Sequence, residues 1–289
     1  MATSTSTLEE FQIISTLRYD PDLAIAATNA PADSYPPPQN SPYYLLSYHH
    51  ARLLSAAKHF QWDRAIDALQ NLSVVGRDLE PLSQTLDSHI PDKSKPWRIR
   101  VALSRDGSIA VTTGPTLPFS SYILLLPPPS QTHLPSFSTL PEPDGGGGAI
   151  WRLYLDTQPI TPSGFTTHKT TARDVYKEAN ERVGINSPEE LAEVLVYNPL
   201  GEVMEGSKTT PYFRRRKTST SSGGEEDGVE WVTPPLSSGG NDGTTRRYAL
   251  SRGFCVQEVI RMTDIVEGEV CWLSNGVRGF MKAVVVPSS

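Results

Sequence analysis

The nine residues Thr166-Thr167-His168-Lys169-Thr170-Thr171-Ala172-Arg173-Asp174 decide how the chain is read. Upstream, the apolar stretch Ile150 to Leu155 predicts a strand. Downstream, Thr171 to Asp174 has capping-box spacing and predicts a helix through Arg182, closed by Gly184. A lysine between a strand and a helix is unremarkable alone, because most lysines are exposed and contribute only solubility. Its neighbours in the chain, on both sides, change that weight.

After the lysine, short elements alternate. Ser187-Pro188-Glu189-Glu190 predicts another helix start, with proline at the first helical position. Glu193 to Tyr197, the turn Asn198-Pro199-Leu200-Gly201 and Glu202 to Met204 predict a hairpin. Val229–Thr233, Cys255–Arg261 and Met281–Val286 are β-branched strand candidates. Before the lysine, Phe11–Arg18 predicts a strand and Tyr44–Trp62 one amphipathic helix, with a Pro- and Asn-rich loop over 29–42 between them. Trp97–Leu103 and Ser108–Thr112 flank the turn Arg105-Asp106-Gly107. The expected architecture is α+β in two domains: a small one over 1–125, a Pro/Gly-rich linker over 126–148 and a larger one over 149–289 that carries Lys169. The glycine runs at 145–148 and 239–240 do not open a helix after a strand, which excludes a dinucleotide-binding turn.

Bulk properties exclude further classes. Of 289 residues, 37% are hydrophobic, enough for real cores with substantial loop. A net charge of -6 argues against a general nucleic-acid or membrane-surface binder. The one basic run, Arg214-Arg215-Arg216-Lys217, leads into a Ser/Gly/Glu-rich insert and reads as a solvated loop edge. No apolar stretch approaches membrane-spanning length, and Met1–Glu10 lacks the features of a secretory signal. Cys255 and Cys271 form no framework and no metal spacing, so reduced thiols in a cytoplasmic, metal-free protein are expected. No G-x-S-x-G elbow supports a serine hydrolase.

Five segments, the lysine segment among them, occur in a telling order. They are His49-His50-Ala51-Arg52-Leu53, the lysine segment, Gly201 to Phe213 with Glu205-Gly206-Ser207 at its centre, Gly243-Thr244-Thr245-Arg246, and Leu273-Ser274-Asn275-Gly276-Val277-Arg278-Gly279. Together they resemble fold-type IV pyridoxal-phosphate enzymes, the class IV aminotransferase family with its D-amino acid aminotransferase-like architecture. Phe11–Arg18 with Tyr19-Asp20-Pro21 resembles the fungal-type aminodeoxychorismate lyase branch. The resemblance implies a pyridoxal 5'-phosphate cofactor held covalently by Lys169, which also shuttles a proton. It implies Glu205 at the cofactor ring nitrogen, and Arg52, Thr244, Thr245, Asn275 and Gly276 around the cofactor, Arg52 reaching its phosphate. Arg18, Arg100, Arg105, Arg173 and Arg278 are candidates for substrate carboxylates. It also implies a homodimer acting on a small amino substrate. Two departures stand out: the family's extra strand before the Phe11 equivalent is absent, and Thr210 replaces its usual asparagine.

Residue chemistry agrees with that reading. Covalent attachment to an aldehyde needs an amine that is neutral part of the time, which desolvation or a neighbouring cation provides. Arg173 would share a helix face with Lys169 if the helix began at or before the lysine. A carboxylate opposite a pyridine nitrogen keeps it protonated. Hydroxyls and backbone N–H groups at a helix start suit a phosphate. Blander roles compete: Arg52 could snorkel from its helix, Glu205 could be a solvated partner, and Gly243-Thr244-Thr245 an ordinary cap. His49, His50 and His168 read as structural or exposed. The activity implied is cleavage of 4-amino-4-deoxychorismate to 4-aminobenzoate and pyruvate. The alternatives are transamination of D-amino acids, (R)-amines or branched-chain amino acids, and an inactive binding protein on the same fold.

Overall fold

In the computed structural model, which describes residues 11–30, 34–73, 79–118, 124–125, 150–216 and 229–287, the first described element is β1 (Ile13–Tyr19). It continues through α1 (Leu23–Asn29), α2 (Leu46–His59), α3 (Asp63–Asn71), α4 (Glu80–Asp87), β2 (Trp97–Leu103) and β3 (Ile109–Pro115). These three strands form an antiparallel sheet in the order β1-β2-β3. Alternate residues of β1, Ile13, Leu17 and Tyr19, enter one core with Leu46, Leu53, Ala56 and Ala57 of α2. Ser15 lies in that same row, so its buried hydroxyl needs a partner, and α2 supplies it.

The second half holds β4 (Trp151–Leu155), α5 (Gly164–Thr167), α6 (Asp174–Arg182), β5 (Ala192–Tyr197), β6 (Val203–Gly206), β7 (Thr210–Arg216) and β8 (Val229–Thr233). It closes with α7 (Thr244–Ser251), β9 (Val256–Gln257), β10 (Val270–Asn275) and β11 (Gly279–Val285). Eight strands make one mixed sheet, ordered β6-β5-β4-β11-β10-β7-β8-β9, in which β4 runs parallel to β5 and β11. Arg182 at the end of α6 grips the buried Asp156 with two hydrogen bonds of 2.7 Å, fixing that helix to the end of β4. A separate core joins the halves: Tyr35, Tyr44 and Leu45 pack with Tyr212, Tyr248 and Phe280.

Several expectations need correction. The helix expected over Tyr44–Trp62 is α2, shorter at both ends, because Gln61 adopts a left-handed backbone (φ 56) that closes the run before α3. Ser187-Pro188 opens no helix; Glu190 instead folds back, its Oε1 accepting from the N–H groups of Asn186 and Ser187. The 255–261 strand shrinks to β9, and Arg214–Arg216 belong to β7, where Arg215 pairs with Glu269. α6 starts at Asp174 without a side-chain cap, so Lys169 and Arg173 share no helix face. The expected linker 126–148 lies outside the described residues, as does 217–228 of the insert. No described helix is long and apolar enough to cross a membrane.

Candidate active site

Lys169 is placed by its backbone. Its carbonyl accepts from Ile14 N–H at 2.9 Å, Thr171 N–H donates to Gln12 O at 2.9 Å, and Ile13 bridges Thr170 in antiparallel fashion. The lysine segment is thereby an added edge on β1, tying the second half of the chain to the first. Just upstream, Ser163 opens the single-turn α5 in a capping box with Thr166, and the chain leaves that turn at His168 in extended backbone, leading to Lys169. His168 packs beside His59 with ring centroids 4.4 Å apart, inside an aromatic group with Phe60, Phe165 and Phe11. It is structural.

Lys169 lies deep among protein atoms yet keeps part of its surface accessible, as a group lining a cleft does. Burial lowers its pKa to about 7, with the charges of Arg52, Arg173 and Arg100 acting the same way and Glu205 opposing. Glu205 moves oppositely: burial raises it to about 7, against the Tyr176 hydroxyl, Arg173, the Asn241 N–H and Lys169. Tyr176 O–H donates to Glu205 Oε1 at 2.6 Å, and burial holds that phenol well above its usual range, so it stays a donor. Arg173 stacks over the Tyr176 ring at 4.2 Å and donates to Ser207 O.

Two glycines are forced by close approach. A Cβ on Gly240 would sit 2.4 Å from Met204 O; its absence lets the 239–241 loop cross β6 and present Asn241 N–H to Glu205. A Cβ on Gly276 would sit 2.7 Å from the His49 ring and 2.9 Å from Thr16 O, so the β10–β11 turn closes directly on α2 and β1.

The opposite wall comes from α2. Spacing of three puts His49 and Arg52 on its buried face with Leu53 and Ala56. Arg52 donates to Ser15 Oγ at 2.6 Å and to His49 Nδ1 at 3.3 Å; Ser15 Oγ and His49 Nδ1 are 2.8 Å apart. Its Nε is buried with no hydrogen-bond partner among the described residues, and burial lowers its pKa to about 10. It is not snorkelling: it is 8% exposed. Thr244 and Thr245 begin α7, both buried, with Thr244 Oγ1 3.4 Å from His49 Nε2 and Thr245 Oγ1 accepting from Ser274 Oγ at 2.7 Å.

The other expected residues fall elsewhere. Asn275 spends its side-chain oxygen on the N–H groups of Val277 and Arg278, shaping the turn. Arg18 is fully buried and bound to Asp20 at 2.7 Å and Leu117 O at 3.0 Å, a core ion pair. Arg105 is exposed in the β2–β3 turn, beside a surface groove lined by Phe11, Trp62 and Thr171. Arg278 stacks on Trp151 at 4.9 Å, where Lys208 also lies at 5.4 Å. Of the arginines weighed for substrate, Arg173 and Arg100 are the two whose charges bear on Lys169. Sequence reasoning missed Ser15, Tyr176, Asn241 and Glu193. The fully buried Glu193 accepts from Ser207 Oγ, Lys208 N–H and Thr209 Oγ1, and so shapes the turn behind Glu205.

Residues 34–285 match the family described as amino-transferase class IV. The chain belongs to that family. Class IV aminotransferases are pyridoxal-phosphate enzymes, and their fold-type IV architecture is the α+β arrangement described above. A Saccharomyces cerevisiae protein named aminodeoxychorismate lyase is 31% identical over 145 residues, 47% of this chain and 37% of that protein. A Schizosaccharomyces pombe relative is 28% identical over 145 residues, 48% of this chain and 56% of its own length. The match thus spans about half or less of these relatives. The solved 4-amino-4-deoxychorismate lyase of Pseudomonas aeruginosa overlays 95% of this chain and 83% of its own, with TM-score 0.54 and 15% identity. A hypothetical aminotransferase from Mycobacterium tuberculosis, solved in its PLP-bound form, overlays 95% of this chain and 81% of its own, with TM-score 0.51 and 15% identity. At such identities the overlays establish the shared fold alone.

Proposed function

We propose that this class IV chain is an aminodeoxychorismate lyase that uses pyridoxal 5'-phosphate to cleave 4-amino-4-deoxychorismate into 4-aminobenzoate and pyruvate. The observation that carries the chemistry is Lys169, a deep amine brought to about 7 between cations and faced by Glu205. The likeness to the yeast lyase carries the choice of substrate. The cofactor fits the residues present: the partnerless Arg52 Nε, with Thr244 and Thr245 at the start of α7, offers donors for a phosphate. When bound, the cofactor supplies an aldehyde for the substrate amine and a ring that withdraws electrons from the neighbouring carbon.

The chain's own residues then divide the labour. Lys169 Nζ would hold the cofactor and, once displaced by the substrate amine, would as a neutral amine move a proton from the substrate carbon to the departing enolpyruvyl fragment. Glu205, aligned by Tyr176 O–H and Asn241 N–H, holds the proton of the ring nitrogen. Arg173 and Arg100 offer cationic charge to the substrate carboxylates, Arg173 through a planar fork. The working form is a homodimer on this reading, because the family resemblance implies that a second subunit completes the site; a fully active monomer in sedimentation would contradict that part.

The test is release of 4-aminobenzoate from 4-amino-4-deoxychorismate with no keto acid added. A lyase turns over many times without an amino acceptor. A single turnover that stalls with the cofactor aminated, or conversion by D-alanine or an (R)-amine with no 4-aminobenzoate, would make the protein a transaminase.

A further inference from the structure

We propose that His49 is a positioning residue whose Nε2–H donates to Thr244 Oγ1 and so commits the Thr244 hydroxyl hydrogen to an anion at the start of α7. This rests on the cofactor reading above, since the anion is the cofactor phosphate.

The direction of the chain follows from Arg52. A guanidinium has donors only, and one of its nitrogens lies 2.6 Å from Ser15 Oγ and 3.3 Å from His49 Nδ1. Ser15 therefore accepts from Arg52 and directs its own hydrogen to His49 Nδ1, 2.8 Å away. A hydrogen on Nδ1 would face the guanidinium donor, so Nδ1 must present its lone pair. Protonation of both nitrogens is opposed by burial first, then by the charges of Arg52 and Lys169, which hold the ring neutral well below its usual pKa. The ring hydrogen is left on Nε2, and the acceptor there is Thr244 Oγ1 at 3.4 Å. Gly276 seals the ring in place, because even a Cβ at that position would lie 2.8 Å from Nε2.

Thr244 is 2% exposed, and its side chain has no other hydrogen bond among the described residues. With its oxygen accepting from His49, its hydrogen is left for an anion, as the Arg52 Nε–H is. His49 thus links the arginine on α2 to the hydroxyl on α7, two anion holders separated by 192 positions in sequence. A neutral histidine does this without adding a third charge to a site already crowded with cations.

The test has two arms. In the first, 15N-labelled histidine is observed with and without cofactor, and the His49 signals are assigned by their loss in His49→Asn. The expected spectrum has the protonated-nitrogen shift at Nε2 and the lone-pair shift at Nδ1; the reverse pattern, or two protonated nitrogens, overturns the proposal. In the second, affinities for inorganic phosphate, pyridoxal 5'-phosphate and pyridoxal are measured in His49→Asn, His49→Gln, Thr244→Val and the double variant His49→Asn/Thr244→Val. His49→Asn and Thr244→Val should each weaken both phosphate-bearing probes roughly tenfold, and the double variant should lose no more than either. Pyridoxal should bind unchanged, and His49→Gln, whose amide N–H can stand near Nε2, should recover most of the loss. Additive losses, or equal weakening of pyridoxal, would overturn the proposal alone. A wild-type protein that bound none of the three probes would overturn the cofactor reading and the proposal with it.

Discussion

Arg18 in β1 and Arg52 packed against that strand are both buried, the first 0% and the second 8% exposed. Arg18 meets a carboxylate, Asp20, at 2.7 Å and a backbone carbonyl, so its charge is answered inside the fold. Arg52 meets a hydroxyl and an imidazole, and no described carboxylate comes within ion-pair distance. One end of the strand is finished structure, and beside its middle lies a positive charge that no described carboxylate answers. Proteins leave a buried charge uncompensated at a cost in stability, which makes the uncompensated one the better candidate for binding.

Substitution should separate the two sharply. Arg18→Ala leaves Asp20 buried and unpaired and is expected to cost about 3–5 kcal/mol in denaturant unfolding. Arg52→Ala should leave the stability of the cofactor-free protein nearly unchanged while weakening cofactor retention by about 1.5–3 kcal/mol, read by equilibrium dialysis. Equal destabilisation by both changes, with cofactor affinity intact, would erase the distinction and return Arg52 to a packing role.

On the far wall, Glu205→Gln should keep the cofactor but slow turnover roughly tenfold or more, since a neutral amide weakens a charge-assisted hydrogen bond. Unchanged turnover in a steady-state assay would leave Glu205 a strand residue with a tyrosine for a partner.

The asymmetry between the arginines also shows what the sequence could reveal. His49-x-x-Arg52 was readable because three-residue spacing on an amphipathic helix fixes a shared face. Lys169 and Glu205 were readable as ordered motifs. Arg18, by contrast, looked as available as Arg173, because nothing local announces that Asp20 turns back to bind it. Ser15 sits 34 positions from His49, and Tyr176 sits 29 from Glu205, so their roles exist only once the sheets are assembled. Ser187-Pro188 misled because a helix start and a tight turn share the same opening residues, and Glu190 capped the turn instead.

A smaller effect concerns pH. Lys169 has a folded pKa of about 7 against an ordinary 10.5, so between those values the unfolded chain holds a proton that the folded one lacks. Its burial penalty is therefore full at and below pH ~7 and fades as pH rises toward 10.5. Lys169→Met should raise the melting temperature of the cofactor-free protein by a few degrees near pH 7, with the gain shrinking in melts at higher pH. A gain that stayed constant with pH would mean that the amine is not desolvated.

The most direct measurement is where the cofactor attaches. The protein is loaded with pyridoxal 5'-phosphate, reduced with borohydride, digested and mapped by mass spectrometry. The account predicts the reduced adduct on the peptide bearing His168-Lys169-Thr170, and its loss in Lys169→Met. An adduct on another lysine, Lys208 beside Trp151 for instance, would contradict it.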